Sequence, residues 1–339
     1  MKVTENTTYR MLQTNLDRIT NGLEDLRTQG ATGIKLRNPS DDPASIRPVL
    51  TTRTQLRTTD RYIETMGVSL DKMDATDGHL DHIENVMQRA KEIAINAING
   101  SYDTADLDTL ADELSFLQEE LLDSANATID GKYIFAGYEE NTRPFVKNPT
   151  YTDAGYDPLD SQTWPVHYFG DGNPTELEIT PGEFLEVNIT GNELFMGISN
   201  GSLQAQGNTP TNGHNYQSDA GIDLFSTLQR LEDSIRAGNV DDLPATNPGD
   251  GIEQGLADLD AVADQNRRLR SQLGNRAKRV ETAMLNQENV KIDLEQILSR
   301  YQDADAIETF NDIIKQETAF QAALNITAKV SDISILDYF

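Results

Sequence analysis

Asp77-Gly78-His79-Leu80-Asp81-His82 sets two imidazoles three residues apart. On a helix that spacing brings both within reach of one metal ion. No third ligand accompanies them, so a solvated helix face accounts for the segment better. Asp41 and Asp42 form a carboxylate pair of the kind that does acid–base work. Standing between Pro39 and Pro43 and ahead of a helix, they are better explained as caps. Arg267, Arg268, Arg270, Arg276, Lys278 and Arg279 make a basic cluster that would suit phosphate. The chain, however, carries 28 Lys/Arg against 56 Asp/Glu, a net charge of −28. Such a surface repels nucleic acid and anionic membranes, so pairing with acidic neighbours is expected for the cluster. Tyr151, Tyr156, Trp164 and Tyr168 offer rings for stacking on a glycan, but packing in a small β core explains them more simply. Gly170-x-Gly172 fits neither a dinucleotide fingerprint nor a phosphate loop. No His-Glu-x-x-His occurs. Cysteine is absent, which removes disulfides, thiolate metal sites and thiol nucleophiles. An enzyme is not expected, nor a cofactor or a metal.

The elements that position these residues are mostly helices. Tyr9, Leu12, Leu16, Ile19, Leu23 and Leu26 step by three and four. Phe310, Ile313, Glu317, Phe320, Leu324 and Thr327 repeat that alternation at the other end of the chain. Steps averaging 3.5 residues keep one stripe of a helix against a partner helix. Two ends that both want helical partners point to assembly rather than catalysis. Charge is distributed accordingly: residues 1–61 hold ten Lys/Arg against seven Asp/Glu, and residues 139–265 hold four against twenty-two. The acidic middle is expected to face solvent, and the near-neutral ends suit packing. MKVTENTTYRMLQTNL has no apolar run fit for a secretory signal, and no window approaches the roughly twenty apolar residues of a membrane span.

Residues 5–28 read as a first helix ended by Gly30 and Gly33. Asn38-Pro39-Ser40-Asp41-Asp42-Pro43 is a turn, and Asp41 or Asp42 caps the helix that follows. That helix covers about 44–98, roughly 80 Å at 1.5 Å per residue. Its stripe of Ile63, Met66, Leu70, Met73, Leu80, Met87, Ala90 and Ala94 is interrupted by Asp77. A third helix spans about 104–128. Gly131–Gly137 reads as a strand. Val166–Phe169 and Leu177–Ile179 read as a hairpin around Gly170–Asn173, and Phe184–Ile189 with Glu193–Ile198 as a second pair around Thr190–Asn192. Residues 200–217 are a polar loop. Helices return over about 219–237, over 252–301 with a stripe broken by Asn266 and Arg270, and over 303–335. The last becomes apolar on several faces after Phe320, which implies cover from other chains. The fold class is therefore mainly α and elongated: terminal helices paired as a coiled coil, a long helical bundle and a small central β-rich insert.

These features in this order resemble the flagellin superfamily, and within it the FlgL family of hook-associated proteins. The Asn38–Pro43 turn resembles that family's turn after its first helix; filament flagellins tend to carry an Ala-Lys-Asp-Asp-Ala-Ala-Gly run there. Gly131–Gly137 followed by Thr142-Arg143-Pro144-Phe145 looks like the family's entry into its β region. Ser271-Gln272-Leu273-Gly274-Asn275-Arg276 and the terminal Ile333-Ser334-Ile335-Leu336-Asp337-Tyr338-Phe339 also fit. The resemblance covers 1–145 and 219–339. It implies a flagellin-like subunit of the hook–filament junction, exported unfolded through the flagellar channel without a cleaved signal. Its implied partners are copies of itself, a FlgK-like junction protein, flagellin and a FlgN-like chaperone bound near the C-terminus.

The expected division is 1–43 with 303–339 as the inner polymerisation domain, 44–145 with 219–302 as the helical bundle, and 146–218 as an outward insert. The assembly surface is expected at Leu12, Leu16, Ile19, Leu23, Leu26, Phe310, Ile314, Phe320, Leu324, Ile333, Leu336, Tyr338 and Phe339. Two other readings stand beside the junction subunit: the filament flagellin itself, which the Asn38–Pro43 turn disfavours, and a surface adhesin that uses the insert.

Overall fold

The computed structural model describes residues 2–38, 41–100, 102–152, 155–157, 160–198, 208–209, 213–214, 222–238 and 251–336. Packing divides the chain into one unit of residues 1–61 and 288–339 and another of 62–287.

The first unit holds α1 (Lys2–Thr32), the start of α2 (Pro43–Asn99), the end of α6 (Ile252–Gln302) and α7 (Ala306–Leu336). The helix α1 runs through Gly30 and ends at Gly33, whose φ of 70° is the left-handed turn that glycine adopts without strain. Gly30 is therefore interior, contrary to the expectation that it helps end the helix. It is tolerated because α7 approaches there: a Cβ on Gly30 would lie 3.3 Å from Ile313 Cδ1 and 3.7 Å from Thr309 Cγ2. The segment after α1 is tied to the α6–α7 joint. Lys35 N–H donates to Gln302 O at 2.7 Å and Ala304 N–H to Gly33 O at 2.8 Å, with a β-bridge between Ile34 and Asp303. The last helix starts at Ala306 rather than at Asp303, because Asp305 Oδ1 caps it by accepting from Ile307 N (2.8 Å) and Glu308 N (3.1 Å).

The second unit has a continuous core running from Met66, Met73, Leu80 and Ile83 of α2 to Leu259, Leu273 and Val280 of α6. The helices α3 (Thr104–Ala125) and α5 (Leu224–Ala237) complete it. Asn266 and Arg270, which break the stripe of α6, face the break in α2. Arg270 Nε and Nη2 bond both oxygens of Asp77 at 2.7 and 2.9 Å, and its Nη1 reaches Asp81 at 2.7 Å. Asn266 Nδ2 donates to Leu80 O and Glu84 Oε2, both at 3.1 Å. A polar layer matched across two long helices penalises any slip in register.

The β region contributes Phe145, Val166, Tyr168, Ile179 and Leu185 to this core. Among the described residues its strands form antiparallel pairs: β1 (Thr128–Ile129) with β2 (Lys132–Tyr133), β3 (Phe145–Lys147) with β4 (Val166–Tyr168), β5 (Glu176–Thr180) with β6 (Glu183–Glu186), and β7 (Asn208–Thr209) with β8 (Gly213–His214). Several expectations are corrected here. Of Gly131–Gly137 only Lys132–Tyr133 is strand. Asp130 and Gly131 both have positive φ, 53° and 76°, which folds the chain straight back onto Thr128–Ile129. The third helix stops at Ala125, because the Asn126 side chain ties to Phe145, accepting from its N–H and donating to its carbonyl, each at 3.0 Å. The strand β4 pairs with β3, not with β5. Gly170–Asn173 does not turn a hairpin, since Asp171 is held backward by Tyr138 N–H (2.7 Å) and by its own N–H to Ala136 O (3.0 Å). The turn is instead at Pro181-Gly182, between β5 and β6. Glu193–Ile198 is not a strand either: Gly191–Phe195 is a short helix, α4. Leu194, Phe195, Met196 and Ile198 are all buried, a pattern without strand alternation. The expected loop 200–217 lies almost wholly outside the described residues, as does most of the linker before α6.

Candidate assembly interface

The pairing of α1 with α7 is built from side chains of modest size. On α1, Leu23 is buried at 6% exposure, and Leu12, Leu16, Ile19 and Leu26 are half-buried. On α7 the covered side is Thr309, Ile313, Gln316, Phe320, Ala323 and Thr327, at steps of four and three. Gln316 Nε2 donates to Ile19 O at 3.2 Å, passing over Gly22, where a Cβ would come within 2.9 Å of that nitrogen. Arg27 Nη2 meets Glu317 Oε1 at 2.7 Å on the exposed rim.

The stripe read from sequence on α7 is thus divided. Ile313 and Phe320 lie on the covered side. Phe310, Ile314 and Leu324 face outward at 58, 63 and 44% exposure, and Ile307 is more open still at 77%. Ile333 and Leu336 lie in α7 but their side chains are outside the described residues, as are Tyr338 and Phe339 altogether. In the turn motif, Pro39 and Ser40 are likewise outside. Asp41 Oδ2 accepts from the N–H groups of Arg37 (3.1 Å) and Asn38 (2.8 Å) and closes the turn. Asp42 caps α2 through Ala44 N–H (2.9 Å) and the Ser45 hydroxyl (2.6 Å), with Pro43 in the first turn. The Ser45 hydroxyl and then the Ala44 N–H hold the Asp42 carboxyl below its usual range, so it is a capping carboxylate rather than a proton carrier.

The other candidates for chemistry resolve the same way. His79 Nδ1 lies 3.5 Å from Ser124 Oγ and His82 Nε2 lies 3.3 Å from Glu120 Oε1, so the two imidazoles have separate protein neighbours. Burial, and secondarily His82, lower the His79 pKa. Among the described residues no cluster of three or more metal-ligating side chains occurs. The basic cluster is largely taken up by acids: Arg267 by Glu84 and Asp264, Arg270 by Asp77 and Asp81, Arg276 by Glu186, Arg279 by Glu183 and Lys278 by Glu281. Trp164 and Tyr168 are buried at 1% exposure, and Trp164 Nε1 donates to Asp157 O at 3.0 Å. They pack rather than present faces to a sugar.

One group was not legible as unusual. Asp223 caps α5 through Oδ2, which accepts from Ser226 N–H at 2.6 Å, while its other oxygen is buried with no partner. Burial raises its carboxyl to about 7, despite the Ser226 hydrogen bonds. The Tyr156 hydroxyl nearby is pushed up to about 12 by burial and then by Asp223, and Arg230 stacks over its ring at 5.1 Å. The folded state therefore keeps a proton that the unfolded chain loses near pH 4. Stability should fall as pH rises from about 4 to about 7 and level off above. Asp223→Asn keeps a capping oxygen and removes the charge. Urea denaturation should show that fall flattened and stability above pH 7 raised by up to about 4 kcal/mol.

Terminal helices paired with each other, long helices and a small β region make a mainly helical, flagellin-like fold. Residues 3–140 match the family described as the bacterial flagellin N-terminal helical region. Flagellar hook-associated protein 3 of Escherichia coli K12 is 24% identical over 334 residues, covering 97% of each chain. Flagellin D of Vibrio anguillarum is 20% identical over 364 residues, covering 97% of this chain and 96% of its own. The fold is shared with the crystal structure of the flagellar junction protein FlgL from Legionella pneumophila, at a TM-score of 0.52 and 20% identity, over 77% of this chain and all of that one. Over nearly its whole length the chain is thus similar to flagellar hook-associated protein 3, of which the Salmonella typhimurium protein is 23% identical over 334 residues.

Proposed function

We propose that this protein is a non-enzymatic adaptor of the bacterial flagellum, seated as a ring of copies at the hook–filament junction. The observation that carries the reading is the apolar stripe of Ile307, Phe310, Ile314 and Leu324, left open on a helix whose other side is already satisfied by α1. Exposed apolar side chains at heptad-like steps suit cover by further helices. The similarity to hook-associated protein 3 over nearly the whole chain sets the junction above the filament, since the flagellins match less closely. In this reading the segments 1–43 and 303–339 form the inner layer, 44–145 and 219–302 the next, and 146–218 the outward face. The hook-side neighbour is a FlgK-like protein and the distal neighbour is flagellin. A FlgN-like chaperone escorts the C-terminal helix through export without a cleaved signal. A strain lacking the protein should make intact hooks, shed flagellin into the medium and fail to swim. Normal filaments in that strain would remove the junction role, and loss of secreted flagellin itself would point to the filament subunit.

A further inference from the structure

In the unit formed by 1–61 and 288–339, two exposed helix faces carry opposite charge. On α2, Val49, Thr52 and Thr59 are the buried side. Turned away from them are Arg47, Leu50, Arg53 and Arg57, all exposed, with Leu50 at 53%. No ion pair engages Arg47, Arg53 or Arg57 among the described residues. That is notable in a chain of net charge −28, where most arginines of the basic cluster and of α5 already hold carboxylates. On α6, Glu288, Ile292 and Glu295 follow one another at steps of four and three on the exposed side, with Ile292 at 51%. They flank Lys291, whose ammonium is already taken by Asp60 at 2.8 Å. Their charge is therefore in excess of what that lysine neutralises.

We propose that these faces meet between copies of the chain, the α2 face of one subunit against the α6 face of the next. Each presents an apolar side chain, Leu50 or Ile292, within a rim of one sign, the arrangement of a small charge-complementary interface. Because the two faces are different patches of the same unit, the contact is heterologous and repeats from copy to copy, which generates a ring or a helical array rather than a closed dimer. The basic face has no nucleic-acid role, since the rest of the chain repels phosphate. This rests on the junction-ring reading and adds the side-to-side contact that would build the ring.

The chain's lack of cysteine allows a direct test. Flagella are isolated from cells expressing the full chain with Leu50→Cys and Ile292→Cys together, and are oxidised. A disulfide requires Cα atoms within about 7 Å, so a ladder of multimers of this chain is expected only if the faces meet. Each single substitution should give no ladder. Dimers from Leu50→Cys alone would mean a face-to-itself contact and overturn the proposal. So would cross-linking only to a chain of different mass, or recovery of the doubly substituted protein in flagella without any ladder. That last outcome leaves the junction role standing, whereas absence of the unsubstituted protein from flagella removes both. As a second variant, Arg53→Glu with Arg57→Glu should lower incorporation about tenfold or more, the scale of like charges brought together at an interface. Adding Glu288→Arg and Glu295→Arg to the same chain should restore it; failure to restore, with the protein folded, overturns the pairing.

Discussion

A chain that ends at Asp305 should keep residues 62–287 folded and fail to enter the flagellum. The core of that unit runs from Met66 to Ala283 and takes no residue from α7. Its melting transition should therefore be unchanged within error. The unit of 1–61 and 288–339 behaves oppositely. Without α7, the half-buried row of Leu12, Leu16, Ile19 and Leu26 on α1 loses its cover, along with the close approach at Gly22 and Gly30. An isolated amphipathic helix holds little structure in water, because most of its stability comes from packing its apolar face. Circular dichroism should show a loss of helix larger than the 31 residues of α7 alone, since α1 frays with it. Incorporation into flagella should fall to background. A truncated chain that still enters would mean that α7 is not the polymerising element. A truncated chain whose second unit also melts would mean that the two units are not independent in stability.

Much of this organisation was legible because helices declare themselves by spacing. The two interruptions in the long stripes, Asp77 on one helix and Asn266 with Arg270 on the other, were visible as anomalies. Arg270 turns out to be the partner of Asp77, and Asn266 bonds Leu80 O and Glu84 farther along the same helix. What sequence could not decide was which stripe of α7 meets α1. The helix carries two apolar rows, and the larger residues Phe310, Ile314 and Leu324 attract attention first. Size is a poor guide where the backbones are close. A glycine on α1 opposite Gln316 and another opposite Ile313 and Thr309 draw the smaller row inward and leave the larger one open. Gly22 and Gly30, eight residues apart on one helix, were the available signal. The β segments were the least legible for a different reason. Their pairing is set by side chains that imitate backbone, Asn126 against Phe145 and Asp171 against Tyr138, and such ties leave no periodic trace. The charge at Asp223 was hidden too, since a capping aspartate reads alike whether it is exposed or fully enclosed.

Phe145→Ala should be among the most costly single substitutions in the chain, and it should leave the assembly surface alone. Phe145 is fully buried where β3 meets α4, α5 and β4. Its ring lies 4.9 Å from Phe195, 5.0 Å from Tyr168 and 5.6 Å from Phe225, and Phe195 in turn stacks on Phe225 at 5.7 Å and meets Phe135 edge-on at 5.3 Å. Removing the ring at the centre opens a cavity that four other rings cannot fill without leaving their contacts, at a cost of about 3–5 kcal/mol. Gly191 sharpens the point: a Cβ there would come within 2.7 Å of the Phe145 ring, so the first residue of α4 is already pressed against it and has no side chain to move into the gap. For a unit of this size the melting temperature should drop by roughly 10 °C. Val146→Ala, one residue along and 40% exposed, should stay within about 0.5 kcal/mol. Because no aromatic of this cluster belongs to the unit of 1–61 and 288–339, subunits carrying Phe145→Ala should still assemble below their lowered melting point. Failure to assemble at a temperature where the variant is folded would show that the β-bearing unit takes part in assembly.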